Sequence, residues 1–292
     1  MVKILHFIIA IIFIFVILII IRYLSFPNEK KPFVEKLEKP FVNNNNNNKI
    51  PKIIHQTFST RDLNVNLTKI VNKWKKLNTD YEYKFYDDND CRNFIKDNFE
   101  ERILNAYDKI IPGAYKADVW RYCVLYLHGG IYNDIKMNPS FPINYFVKDE
   151  DIVLIRDSSP ENIYQAFIAV KPGNEFIWKC IETSIFNIEN NYYGKICLDI
   201  TGPGMVGKEF LKHYNVKNIS LGVSMKMKDE KVTIYNFTGR NKITFFKENF
   251  LIVNEKDEKI LNPYYKEYYD DLKSYKIKRY ANLYNKRKIY KI

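Results

Sequence analysis

Residues Ala117 to Lys136 read ADVWRYCVLYLHGGIYNDIK. The apolar spacing predicts a helix over 114–128 that ends at Gly129 and Gly130, because glycine tolerates the backbone of a tight turn. The β-branched and aromatic run after the glycines predicts a strand over 131–135. Such a strand would place Asp134 near its carboxyl end, where ligands bind in α/β sheets.

Three charged side chains in this stretch are candidates for a binding site. Asp118 and Arg121 are three residues apart and therefore share one helix face. Both can hydrogen-bond to hydroxyl or phosphate groups, and Asp134 can accept from ribose or sugar hydroxyls or approach a divalent cation. Each feature alone is more typical of a surface ion pair or a capped turn. Their combination in one order and spacing favours a ligand site.

The surrounding sequence alternates between strand and helix patterns. Short apolar runs predict strands at 49–57, 81–86, 152–155 and 166–170. Amphipathic spacing and acidic first turns predict helices at 67–77, 91–98, 175–186 and 205–214. The alternation indicates an α/β fold with a largely parallel sheet that helices cover on both faces.

These segments resemble the DXD-containing glycosyltransferases of family 32, which include the fungal initiating α-1,6-mannosyltransferases. The family pattern A-D-x-x-R, followed by G-G-x-Y-x-D-x-D, is met from Ala117 through Asp134. Four further segments resemble other blocks of the family: IPKIIHQ (50–56), YEYKFYDD (81–88), AFIAVKPG (166–173) and TGPG (201–204). The resemblance covers about residues 49–292.

The resemblance implies a GT-A-type, Rossmann-like fold that transfers a hexose from a nucleotide-sugar with retained anomeric configuration. It also implies roles for individual residues. Donor-sugar binding falls to Asp118, Arg121 and Gln165, and nucleotide binding to His55, Gln56, Thr57, Tyr132 and Tyr284. The expected catalytic residues are Asp134, Lys136 and Arg279, and Asp134 is also the candidate metal ligand.

The sequence departs from the family pattern at three places. Lys136 stands where the family has its second motif aspartate, normally the direct ligand of Mn²⁺ or Mg²⁺, and an ammonium cannot coordinate a metal. One possibility is that the Lys136 ammonium takes the place of the metal ion as the positive charge beside the donor diphosphate, which is physically sound. The other is that metal binding is lost, with or without the activity. Gln165 replaces an asparagine. The carboxyl-terminal histidine block is replaced by RYANLY (279–284), in which Arg279 is a candidate phosphate donor.

The amino-terminal region has a different character. Ile4–Ile21 is an apolar run of 18 residues with His6 as its one polar member. As a helix it would be about 27 Å long, enough to span a bilayer. We therefore expect a membrane anchor at 1–24, a stalk with an asparagine run at 25–48, and a glycosyltransferase domain with a basic tail at 49–292. Flanking charges favour a cytosolic body, whereas the family resemblance favours a lumenal one of ER or Golgi type, so the orientation stays open.

The net charge of +12 is concentrated at the two ends of the chain. Residues 273–292 contain eight Lys or Arg and no acidic residue, and residues 1–49 also carry an excess, which leaves the body near neutral. This distribution is not typical of a DNA-binding domain, and no nucleic-acid partner is expected. The predicted function is a membrane-anchored retaining glycosyltransferase that acts on a glycan, lipid or protein acceptor. The alternatives are a catalytically degenerate nucleotide-sugar or glycan binder of the same fold, and a membrane-tethered nucleic-acid binder.

Overall fold

The computed structural model describes residues 36–42, 49–239 and 250–291. The chain divides into two compact units after Leu37, and the unit Glu38–Ile292 contains every element described below. The predicted membrane anchor and most of the predicted stalk lie outside the described residues. Within those residues, no helix is both long enough and apolar enough to cross a membrane.

The described residues form one sheet of ten strands. In chain order these are β1 (Ile53–Thr57), β2 (Glu82–Tyr86), β3 (Gly130–Asn133), β4 (Asn138–Pro139), β5 (Ile152–Arg156), β6 (Phe167–Val170), β7 (Gly222–Met227), β8 (Glu230–Gly239), β9 (Phe250–Val253) and β10 (Lys259–Asn262). Neighbouring strands follow the order β2-β1-β3-β6-β5-β8-β9-β10-β4, and β7 pairs with β8.

The sheet is mixed, so the expectation of a largely parallel sheet is wrong. Strand β1 runs parallel to β2 and β3, and β5 runs parallel to β8. The other pairs are antiparallel: β3–β6, β5–β6, β7–β8, β8–β9, β9–β10 and β10–β4. A strand buried on both faces reads as a continuous apolar run whichever way it points, so the sequence pattern does not report direction. The α/β class is confirmed.

Eight α-helices occur among the described residues. They are α1 (Val65–Leu77), α2 (Asp88–Asn98), α3 (Glu101–Lys109), α4 (Gly113–His128), α5 (Glu175–Glu189), α6 (Pro203–Tyr214), α7 (Tyr268–Ser274) and α8 (Tyr280–Asn285). Helix α2 begins at a capping box in which Asp87 and Asp90 satisfy each other's backbone N–H groups, as its acidic first turn suggested. Helix α3 follows α2 almost directly and was not predicted.

Side chains on both faces of the sheet are buried. On β3, Ile131 belongs to the core cluster that contains Trp74 of α1, whereas the next residue, Tyr132, packs against Trp120 of α4. The same alternation occurs on β5, where Val153 is part of that cluster. Burial on both faces confirms the predicted two-sided cover. It also fixes α4 on the face of β3 from which Tyr132 projects, and this arrangement positions the site.

Candidate active site

A cavity of about 350 Å³ opens at one edge of the sheet. It lies where β3 and β5 end and where β6 begins, because β6 is antiparallel to both. The amino-terminal half of α4 and the segment before α6 contribute further lining. Two tyrosines complete it: Tyr264, which precedes α7, and Tyr280, which begins α8. The lining residues that matter below are Tyr115, Asp118, Arg121, Asp134, Lys136, Asp157, Ser158, Tyr164, Gln165, Gly202, Pro203, Tyr264 and Tyr280.

The turn between α4 and β3 depends on its two glycines. Gly129 and Gly130 have φ angles of 62° and 92°, a region that favours glycine. A Cβ on Gly130 would lie 2.7 Å from the backbone oxygen of Ile53, so the close approach to β1 also excludes a side chain. The turn brings the chain directly from the helix into the strand. As a result Asp118, Arg121 and Asp134 meet at one edge of the sheet.

We call the side chains of Asp118, Arg121, Asp134 and Lys136 the α4–β3 wall. The Arg121 guanidinium lies 3.1 Å from Asp118 Oδ1 and 3.4 Å from Asp134 Oδ1. Arg121 also donates to the backbone oxygen of Gln165 at 2.8 Å, and its guanidinium lies 4.3 Å from the Tyr132 ring centroid. Arg121 is therefore fixed from several directions, which holds the two carboxylates at a defined separation.

Asp118 is buried and has partners besides Arg121. The Thr201 hydroxyl donates to Asp118 Oδ2 at 2.8 Å, and the Gln165 side chain also hydrogen-bonds to this carboxylate. Burial raises the pKa of Asp118 to about 7, although Arg121 and the two hydrogen bonds act in the opposite direction. Its charge state therefore changes near neutral pH.

Asp134 and Lys136 form an ion pair at the rim of the cavity. Lys136 Nζ lies 2.7 Å from Asp134 Oδ2, and the Tyr132 hydroxyl donates to Asp134 Oδ1 at 2.7 Å. Burial disfavours both charges, but the pairing outweighs it: the pKa of Asp134 is lowered and that of Lys136 is raised. Nζ also lies 4.9 Å from the Tyr264 ring centroid and 5.8 Å from that of Tyr268, within cation–π range. Lys136 is thus a fixed, permanently charged cation.

The donor set at Asp134 does not fit a divalent cation. Both carboxylate oxygens already have partners, one of them an ammonium at 2.7 Å. A metal here would have to displace that ammonium or lie beside it. The described ranges 36–42, 49–239 and 250–291 contain no group of three His, Cys, Asp or Glu side chains arranged to hold a metal. The side chains at this position supply a positive charge themselves.

The first strand does not bring its predicted nucleotide-binding residues to the cavity lining. His55 is fully buried, with Nε2 3.1 Å from the Gly129 backbone oxygen, and burial lowers its pKa to about 3. Gln56 is also buried and hydrogen-bonds to Asn133. Thr57, at the end of β1, lies 3.1 Å from Cys91 Sγ. These contacts support the turn between α4 and β3 and the neighbouring strands.

Three other predicted residues also lie off the cavity lining. Tyr132 acts on the cavity through its bond to Asp134. Arg279 is exposed immediately before α8, with its guanidinium 5.4 Å from the Tyr269 ring centroid. Tyr284 packs 5.8 Å from the ring of Tyr193. The neighbouring Tyr280, rather than Arg279, lines the cavity. Of the predicted site residues, Asp118, Arg121, Asp134, Lys136 and Gln165 are brought together.

The cavity contains polar groups that sequence reasoning missed. We call Asp157, Ser158 and Tyr164 the β5–β6 wall, since they lie in the connection between these strands. Asp157 directly follows the buried strand β5, and burial raises its pKa. The rule that identified Asp134, a carboxylate at the carboxyl end of a buried strand, would have identified Asp157 as well. Tyr164 had no such signal.

The family comparison covers the part of the chain that contains the α4–β3 wall. Residues 64–153 match the family model described as "Glycosyltransferase sugar-binding region containing DXD motif". The matched range contains the whole α4–β3 wall, and the resemblance predicted from the sequence is confirmed.

Several curated proteins are similar to parts of this chain. "Uncharacterized glycosyltransferase L373" of Acanthamoeba polyphaga mimivirus is 41% identical over 90 residues, 30% of this chain and 36% of that protein. "Inositol phosphoceramide mannosyltransferase 3" of Schizosaccharomyces pombe is 30% identical over 132 residues, 45% of this chain and 36% of that protein. "Initiation-specific alpha-1,6-mannosyltransferase" of the same yeast is 26% identical over 195 residues, which are 57% of this chain and 49% of that protein. The matches therefore cover half or less of each relative.

A solved structure, "PaToxG Glycosyltransferase", is similar with a TM-score of 0.49 and 21% sequence identity. The alignment covers 57% of this chain and 71% of that one.

Proposed function

We propose that this chain is a retaining glycosyltransferase of GT-A type that moves a hexose from a nucleotide-sugar to a hydroxyl group of an acceptor. The observation that carries the proposal is the convergence of Asp118, Arg121, Asp134 and Lys136 on one cavity. A carboxylate fixed by a guanidinium recognises sugar hydroxyls, while an ammonium beside them neutralises phosphate. The family match over 64–153 supports the same chemistry.

The two ends of the α4–β3 wall suit the two ends of a nucleotide-sugar. Asp118, Arg121 and Gln165 would bind the donor-sugar hydroxyls, since they form a buried, hydrogen-bonded group on the cavity. Asp134 would accept from the ribose, and Lys136 would face the diphosphate. Two further roles remain proposals from the sequence. One is nucleotide binding by the segment His55–Thr57, Tyr132 and Tyr284, and the other is phosphate contact by Arg279.

Stabilisation of the leaving group is the main catalytic demand. When the bond between the anomeric carbon and the diphosphate oxygen breaks, negative charge develops on the nucleoside diphosphate. Lys136 provides a fixed positive charge there, in the place where the family has a metal ligand. The acceptor oxygen then forms the new bond to the anomeric carbon on the same face, and its proton passes to the departing diphosphate oxygen. This route retains the anomeric configuration and requires no protein nucleophile.

The identity of the sugar and of the acceptor is proposed from the relatives. Because the matched yeast proteins are named mannosyltransferases, mannose is the first donor sugar to test. Three of the yeast relatives have names that include inositol phosphoceramide, so a lipid carrying an inositol ring is a candidate acceptor beside a glycan. An anchor at 1–24 would place the domain at a membrane, where such lipids occur.

A donor screen tests the proposal. Purified protein is incubated with single nucleotide-sugars and a mixture of hydroxyl acceptors, and products are detected by their mass shift. We expect one hexose to be added from one donor class, and Asp134→Asn to reduce the yield about a hundredfold or more. The matched control is Asp149→Asn, which removes an exposed carboxylate paired with Lys231 outside the cavity. Transfer by Asp134→Asn at the wild-type rate would contradict the assignment of the site.

A further inference from the structure

The β5–β6 wall contains a buried hydroxyl without a partner. The Tyr164 hydroxyl oxygen has almost no accessible surface, and no other residue in the described part of the chain hydrogen-bonds to it. The side chain is 8% exposed and lines the cavity. Leaving a buried hydroxyl unpaired costs free energy, so its retention at the cavity calls for a partner that the described residues do not supply.

Asp157 lines the same cavity, and its carboxylate is only half engaged. Its Oδ1 accepts from the backbone N–H of Ser158 at 2.6 Å and from the Ser158 hydroxyl at 3.1 Å. Its Oδ2 makes no hydrogen bond or ion pair within the described residues. Asp157 is also close enough to Tyr164 and Lys136 to interact electrostatically with both. Among the described residues, the cavity lining therefore includes a carboxylate oxygen and a hydroxyl that both lack a partner.

The loop that holds Asp157 is rigidly supported. Its ends are joined by the bond from Asp157 N–H to the Asn162 oxygen at 2.9 Å, and Ile163 N–H donates to the Pro203 oxygen. Helix α6 packs closely beneath the loop: a Cβ on Gly207 would lie only 2.0 Å from the Glu161 backbone oxygen. A carboxylate held in this way is preorganised, as expected for a binding group rather than a loose surface charge.

The chemistry of this wall does not suit the donor's phosphates. A carboxylate repels a diphosphate, whereas it accepts hydrogen bonds from neutral hydroxyls. A cavity of about 350 Å³ lies at the small end of ligand-binding pockets, so groups on all of its walls are near whatever occupies it. Neutral hydroxyls, such as those of the second substrate, therefore suit Asp157 and Tyr164 better than phosphate does.

We propose that Asp157 and Tyr164 form an acceptor subsite that binds adjacent hydroxyls of a polyol ring, either a sugar or an inositol. The subsite rests on the proposed transferase function, since it presupposes a donor at the α4–β3 wall. Asp157 Oδ2 accepts from one ring hydroxyl and the Tyr164 hydroxyl pairs with its neighbour. Both are positioning residues: they orient the acceptor oxygen toward the anomeric carbon and take no proton.

The test separates donor binding from acceptor use. Donor affinity is measured by calorimetry, and the acceptor KM is measured at saturating donor with methyl α-mannoside and with myo-inositol. Asp157→Asn should raise the acceptor KM about tenfold or more and leave the donor Kd unchanged, because it weakens a charged hydrogen bond made to the acceptor alone. The ring for which KM rises identifies the source of the hydroxyls. The control Glu161→Gln removes an exposed carboxylate from the same loop and should leave KM unchanged.

Tyr164→Phe provides a second variant in case Asp157→Asn does not fold. It should raise the acceptor KM while the melting temperature stays the same or increases, because the deleted hydroxyl bonds to none of the residues that the structure describes. An unchanged acceptor KM in these variants, or a donor Kd that weakens by the same factor, would overturn the subsite. So would wild-type protein that binds the donor but transfers to neither ring. A wild-type protein that binds no nucleotide-sugar would instead contradict the proposed function.

Discussion

The two walls of the cavity differ in how far their polar groups are satisfied before any ligand arrives. On the α4–β3 wall, Arg121 joins Asp118 to Asp134, and Lys136 completes the chain of charges. On the β5–β6 wall, the Tyr164 hydroxyl has no partner within the described residues, and the Asp157 carboxylate hydrogen-bonds there only to Ser158. A preorganised wall suits transition-state charge, because it needs no rearrangement when that charge develops. An unsatisfied wall suits a substrate that supplies the missing partners.

The largest effect is expected from removing the cation of the α4–β3 wall. Lys136→Met keeps a long side chain but deletes the ammonium, so the departing diphosphate loses its fixed counter-charge. We expect kcat for transfer to fall about a hundredfold to a thousandfold. The matched control is Lys171→Met, which removes a partly buried lysine paired with Asp151 outside the cavity. Similar losses in the two variants would mean that charge pairing in general, and not the cavity cation, matters.

A smaller effect is expected from the pH dependence of donor binding. The pKa of Asp118 is raised to about 7 by burial, so its carboxylate form, which accepts from sugar hydroxyls, predominates only above neutrality. Donor affinity should therefore fall up to about tenfold as the pH drops from about 8 to about 6. The Asp118→Asn variant should bind the donor more weakly, and its donor affinity should no longer depend on pH in this range. Calorimetric titration at several pH values measures both, and tighter binding at low pH would contradict the assignment.

The smallest effect is expected at Arg279. The sequence assigns it to the donor phosphates, yet it is exposed before α8 and does not line the cavity. Exposed charges contribute little, so Arg279→Ala should lower kcat/KM less than about threefold. Steady-state kinetics of Arg279→Ala and Lys136→Met, measured under the same conditions, compare the two losses in kcat/KM. A loss comparable to that of Lys136→Met would show that the segment before α8 moves onto the donor during the reaction.

The sequence was most informative where structure depends on neighbouring residues. The helix, glycine turn and strand from 114 to 135 were predicted, since capping and periodicity act over a few residues. Asp118, Arg121 and Asp134 meet because that one segment carries all three. The helix α3 was missed because it follows α2 after only two residues, without the usual loop.

Three features could not be predicted because they depend on distant segments. The direction of β6 is set by its pairing with β3 and β5, which leaves no trace in its own apolar run. The position of Tyr164 at the cavity follows from that pairing together with the packing of α6 beneath the loop. The tyrosines around Lys136 come from the carboxyl-terminal region, more than a hundred residues away.

The central claim is that Lys136 provides the positive charge beside the donor diphosphate, so that transfer needs no metal ion. The most direct test measures transfer by the wild-type protein in excess chelator and again after Mn²⁺ or Mg²⁺ is added, with product detected by mass shift. We predict equal rates under the two conditions. Loss of transfer in chelator that is restored by added metal would contradict the claim.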